Sequence, residues 1–225
     1  LDVYEIEEFH SAVALLRRAT SLDTTFAVGH ARLAEVFIAG TAAHGIPLGD
    51  SILPRAEAAL RFEPDLPLAL MTRGWQLGNM GRTEEGRASL ERALSIDPGY
   101  GPAWGSLAAI GWWTRDYVQG ALAGRQGVKA DRGDWRTILH LANCLAYLDM
   151  YREYGAWSRQ LFALDASDPR VGGARFYGAA GMAMAALQLG DTAGTRIAVT
   201  AMRVAGSDNI AARSEEHTSE LQSPD

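Results

Sequence analysis

The chain has 225 residues, 48% of them apolar, and a formal net charge of −6. That composition belongs to a globular protein of one or two domains and excludes a disordered chain. No basic run could neutralise a phosphate backbone, no apolar run reaches the length of a membrane span, and the single cysteine, Cys144, excludes an internal disulfide, so neither nucleic acid nor membrane is an expected partner.

In chain order, the sequence starts at Leu1 rather than Met and shows no signal peptide. It is expected to lie inside a longer reading frame, with the cytoplasm as the default location. Amphipathic helical spacing begins near residue 8 and is then stopped at five places: "SLDTTFA" (21–27), "FEPDLPLA" (62–69), "IDPGYGPA" (96–103), "KADRGDW" (129–135) and "LDASDP" (164–169). Taking Thr24, Pro64, Pro98, Arg132 and Ala166 as equivalent, the intervals are 40, 34, 34 and 34 residues. The long first interval contains "AGTAAHGIPLGDS" (39–51), whose Gly and Pro content predicts a loop, with a new helix starting near Ser51 to Pro54.

The unit from Pro67 to Tyr100 is the clearest. It predicts a helix over "LALMTRGWQLGNM", a turn at Gly81 and Arg82, and a second helix over "TEEGRASLERALSI" with Thr83 as its N-cap. Pro98 cannot continue the second helix, whereas Pro102 suits the start of the next. Small residues (Gly74, Gly86 and Ala93, then Ala108, Gly120 and Gly127) stand where paired helices must approach closely. A Gly- and Ala-rich stretch from Asp168 to Gly206 predicts one more hairpin, turning at Gly190 and Asp191. The end, "RSEEHTSELQSPD" (213–225), has no helical periodicity and carries a net −3. It predicts a disordered tail, and residues 213–223 resemble the in-frame translation of a sequencing-library adapter. The domain reading is therefore 1–212 as one repeat domain and 213–225 as an artefactual tail.

The 34-residue hairpin period resembles the tetratricopeptide repeat (TPR). Leu70, Gly74, Leu77, Gly86, Leu90, Ala93 and Pro98 fall on its motif in one repeat. Trp104, Leu107, Ala108, Ala121 and Asp131 follow in the next, and Ile138, Leu141, Ala142, Leu145 and Leu161 continue it more loosely. The resemblance implies an all-α fold, a right-handed superhelical solenoid of about five helical hairpins, acting as a protein–protein interaction scaffold. The placement of the insert and the Ala-rich wording are also similar to TPR regions of multidomain bacterial signalling proteins. The alternative is therefore a regulatory segment of a transcription regulator, nucleotide cyclase or kinase whose effector lies elsewhere. Substrate docking for a glycosyltransferase-like or hydrolase domain is a third reading.

In stacked hairpins the first helices line a concave groove. Helical counting places Leu68, Met71, Trp75 and Asn79 there from one repeat. The next contributes Gly105, Ala109 and Trp112, with Trp113 a further candidate, and the third Arg136, Leu139, His140, Asn143 and Tyr147. Aromatic and Arg side chains are the usual anchors of such interfaces, so a peptide or partner protein is the expected ligand. Each aromatic is equally consistent with the interhelix core. Some tetratricopeptide proteins hold acidic peptide C-termini with a Lys, Asn and Arg clamp. Met71, Trp75 and Ser106 occupy those positions here, and only Arg136 and His140 fit the third set, which favours a more apolar peptide. His140 and Cys144, four apart, supply half a zinc site with no second pair, so Cys144 is read as a buried thiol. No catalytic constellation, metal or cofactor is expected.

Overall fold

Helices start where the sequence changes its punctuation, and the repeat spacing survives in three dimensions. The computed structural model describes the backbone of residues 6–44, 49–166 and 172–220, with side chains over 7–41, 51–166 and 173–206. Within these residues lie α1 (Ile6–Leu22), α2 (Ala27–His44), α3 (Gly49–Phe62), α4 (Pro67–Asn79), α5 (Thr83–Ile96) and α6 (Gly101–Trp113). They are followed by α7 (Tyr117–Ala130), α8 (Trp135–Tyr147), α9 (Tyr151–Phe162), α10 (Gly172–Gln188) and α11 (Thr192–Glu220). Helices α4, α6 and α8 begin at 67, 101 and 135, and α5, α7 and α9 at 83, 117 and 151, so both halves of the hairpin keep the 34-residue step.

Two kinds of turn produce this regularity. Between hairpins, an aspartate carboxylate accepts the backbone N–H two residues on: Asp23 from Thr25 (2.8 Å), Asp97 from Gly99 (2.9 Å) and Asp131 from Gly133 (2.8 Å). Because the aspartate makes this turn, Arg132 replaces the proline of the preceding repeat without changing it. Within hairpins, one residue adopts the left-handed conformation: Gly81 (φ 80°), Arg115 (φ 62°), Asp149 (φ 58°) and Gly190 (φ 73°). Thr83 is not the N-cap of α5. Arg82 holds that position, makes no side-chain cap, and instead forms an ion pair with Glu85 at 2.7 Å.

The predicted loop over 39–51 is mostly helix. Helix α2 runs on to His44 and α3 starts at Gly49, with Pro54 inside it; only 45–48 lie outside the described residues. The segment "GTAAH" contains helix-compatible residues that extend an existing helix at little cost. Likewise α11 carries helix through Glu220, where a tail without regular structure is expected. No Gly or Pro intervenes between Asp208 and Ser223 to stop it, and residues 221–225 lie outside the described residues.

Packing is serial. Phe9, Val13, Leu33, Phe37 and Ile52 form one cluster, Leu70, Met71, Leu90, Leu107 and Ile110 the next, and Ile138, Leu141, Cys144, Leu145 and Leu161 a third. The hairpin α4/α5 closes at Gly74 and Gly86: a methyl group on Gly74 would meet the Gly86 carbonyl oxygen at 2.9 Å, and one on Gly86 the Gly74 oxygen at 2.7 Å. Each even-numbered helix from α2 to α8 packs on the odd-numbered helix after it and on the next even-numbered helix, and α10 packs on α11. The odd-numbered helices α3, α5, α7 and α9 pack mainly on even-numbered partners. The even side is therefore the close-packed inner layer and the odd side the splayed outer one.

Candidate functional site

Helices α4, α6 and α8 stand side by side in the inner layer, and each contributes an aromatic or imidazole ring to one cluster. The Trp75 and Trp113 rings lie 5.0 Å apart between centroids, in tilted contact. His140 sits against three indoles, 6.3 Å from Trp75, 6.0 Å from Trp112 and 6.4 Å from Trp113. All four side chains are partly exposed, so the cluster is a surface with a packed underside. Successive repeats converge here because α6 is small-residue and apolar nearly all round: Ala103 and Gly105 to Gly111 are buried, which lets α4 and α8 press on both sides.

The environment of His140 is unusual. Its Nδ1 is sealed from solvent and has no hydrogen-bond partner. Burial holds the imidazole pKa down at about 4; Asp134 pulls it slightly up and Arg136 slightly down. At neutral pH the ring is uncharged and presents an aromatic face to the indoles. Asp134 itself caps α8, accepting from the Arg136 N–H at 3.2 Å. One turn further along, Cys144 is fully buried beneath Gly120, its thiol pushed up to about 12 by burial and then by Asp116. Among the described residues no three potential metal-ligating side chains come together.

The expected groove residues meet four different fates. Trp75, Trp112 and His140 meet in the cluster, and Trp113 belongs to it as an equal member. Asn79 is exposed one turn beyond Trp75, Asn143 is half-buried next to the His140 turn, and Arg136 is exposed with its guanidinium 4.6 Å from the Trp135 ring centroid. Met71 is not a surface residue. It is buried in the cluster that also holds Ala27 and Ala31 of α2, the helix packed against α4. Leu68, Gly105 and Ala109 are buried too. Tyr147 is exposed but leaves the strip, stacking flat on Tyr117 at 4.5 Å and 8°. Tyr117 is not among the residues that helical counting assigns to the groove; its position directly after the hairpin turn is the one sequence signal for this contact.

This arrangement of hairpins is a tetratricopeptide-repeat-like fold, an all-α stack of helical hairpins. Solved structures with the same architecture include PilW, a widely conserved type IV pilus biogenesis factor. It aligns with TM-score 0.66 at 16% identity, over 91% of this chain and 94% of that one. Pseudomonas aeruginosa PilF aligns with TM-score 0.63 at 17% identity, over 94% and 91%. YrrB, a TPR protein with an unusual peptide-binding site, aligns with TM-score 0.56 at 12% identity, over 90% and 97%. No family profile and no curated protein matches the chain by sequence. Among the described residues no helix is long and apolar enough to cross a membrane.

Proposed function

We propose that residues 1–212 form a non-enzymatic interaction scaffold that binds an extended peptide across α4, α6 and α8. The observation that carries this reading is the Trp75, Trp112, Trp113 and His140 cluster, four partly exposed rings contributed by three successive repeats. Rigid aromatic surface of this kind supplies contact area at low cost in side-chain entropy. Asn79 and Asn143 share its helices at positions from which an amide can bond a peptide backbone, and Arg136, one turn before His140 on α8, supplies a positive charge that His140 feels. A neutral His140 favours apolar or aromatic peptide side chains over acidic ones, because the imidazole adds no charge to receive a carboxylate.

Selection of 12-residue peptides from a displayed library against the full chain tests this. The selected peptides should quench Trp fluorescence and lose at least tenfold in affinity on Trp75→Leu, and a few-fold on Asn79→Ala, with helical circular dichroism unchanged. Peptides that bind with equal affinity to both variants sit elsewhere, and that result refutes the assignment.

A further inference from the structure

A second site lies on the other layer, independent of the aromatic cluster. The splay of the outer helices opens a wedge between α1 and α3, floored by α2, with a cavity of about 490 Å³. Three guanidiniums line it, Arg17 from α1 and Arg55 and Arg61 from α3, together with His30, Phe37 and Phe62. Among the described residues no carboxylate lines it. None of the three arginines takes part in an ion pair among the described residues, whereas Arg32, Arg82, Arg87, Arg92 and Arg125 all do.

What holds Arg17 and Arg55 leaves their charge available. His30 Nε2 lies 3.1 Å from the Thr24 carbonyl oxygen, which can only accept, so Nε2 carries the proton. Nδ1 is then the lone-pair nitrogen, and at 3.4 Å it accepts from Arg55. A neutral acceptor thus orients Arg55 without cancelling its charge. Arg17 lies over the Phe37 ring, 5.8 Å from its centroid, again oriented by a neutral group. The acid of the α1–α2 turn, Asp23, stays ionised, but it is held by the Thr25 hydroxyl at 2.6 Å and the Thr25 N–H and forms no ion pair with the three arginines. The corresponding wedge between α7 and α9 is a contrast. It is about 380 Å³ and also basic, with Arg125, Lys129 and Arg132, but Arg125 is neutralised by Glu153 at 2.6 Å.

We propose that the α1–α3 wedge binds a small organic phosphate. Three arginines lining one cavity, none of them ion-paired among the described residues, match the several oxygens and double charge of a phosphate monoester, to which Arg donates in bidentate pairs. The volume falls in the range of roughly 300–1,000 Å³ common to small-ligand sites, well beyond what an inorganic ion fills. Phe62, exposed at the end of α3, and Pro54 offer an apolar wall for the organic part.

Calorimetric titration of the full chain with phenyl phosphate tests the proposal, with inorganic phosphate and benzyl alcohol as comparison ligands. One saturable site is expected for phenyl phosphate, at least tenfold tighter than for either comparison ligand. Arg17→Gln and Arg61→Gln alter exposed side chains and leave the fold intact; each should weaken binding about tenfold, while Arg132→Gln in the other wedge should not. Absence of saturable binding, affinity untouched by Arg17→Gln and Arg61→Gln, or inorganic phosphate binding as tightly as phenyl phosphate would each overturn it.

Discussion

His140 should make the stability of this protein pH-dependent in a window set by its burial. The folded state holds the imidazole pKa near 4, while in the unfolded chain it returns to about 6.5. Below pH 6.5 the unfolded state therefore binds a proton that the folded state refuses, and stability falls as pH drops toward 4. At pH 5 the loss is about 2 kcal/mol relative to pH 7.5, and by pH 4 it approaches ~3 kcal/mol. Attraction between an imidazolium and the three indoles opposes this, at about 0.5–2 kcal/mol per favourable cation–π contact. It does not prevail, because the protonated Nδ1 would be a sealed donor without an acceptor, and an unpaired buried charge costs several kcal/mol. The assay is urea denaturation of the wild type and of His140→Gln at pH 7.5 and 5.0. Titrations common to both proteins cancel, and the wild type should lose about 2 kcal/mol more than the variant, roughly 4–8 °C in Tm for a chain of this size. Parallel pH profiles would mean that Nδ1 finds water or an acceptor in solution, and an inverted difference would mean that the indoles stabilise the cation.

Other expectations follow from particular contacts. Arg115→Gly should stabilise the fold by about 1 kcal/mol, because glycine holds the left-handed backbone of that turn without the Cβ clash; Gly81→Ala should cost a similar amount, both read from thermal denaturation. Gly111→Ala places a methyl 2.5 Å from the Gly120 Cα and must push α6 off α7, so despite alanine's better helix propensity it should cost about 1–3 kcal/mol. Cys144, buried with its thiol pushed up to about 12, should resist a thiol reagent at pH 8 until denaturant is added; rapid labelling of the native protein would contradict its placement.

The period was legible because its carriers are local. Asp97 and Asp131 make the same turn 34 residues apart, and Gly81 reads directly as a left-handed position. Arg115 and Asp149 hold the equivalent place yet carry no such signal, since any residue is tolerated there when packing on both sides fixes the turn. Long-range facts were less accessible. Met71 and Trp75 are four apart and share a helix face, so spacing alone assigns them together. They part because Met71 is buried in the cluster that α4 shares with α2, while Trp75 meets the large Trp113 ring instead. Tyr147 is similarly displaced by a partner, Tyr117, that belongs to another helix. Trp112 and Trp113 are adjacent and differ by one helical position, yet both reach His140, because α8 packs close enough to α6 for its ring to touch two faces.

The two layers acquire different chemistry for one geometric reason. Where successive inner helices touch, space between them is scarce, so contacts are made by small residues of α6 and by rings that stack and share their exposed edges. Charge is disfavoured there, and the one titratable ring in the cluster is kept neutral. Where the outer helices diverge, wedges remain that no side chain of the repeat is large enough to close, and long arginines reach into them with their heads toward water. The aromatic cluster of the inner layer and the arginine-lined wedges of the outer one are thus two consequences of the same divergence, although in the α7–α9 wedge Glu153 neutralises Arg125. Shortening the α2–α3 hairpin to the 34-residue step of its neighbours would separate them, because it would alter the wedge over α2 and leave the α4, α6 and α8 rings where they are.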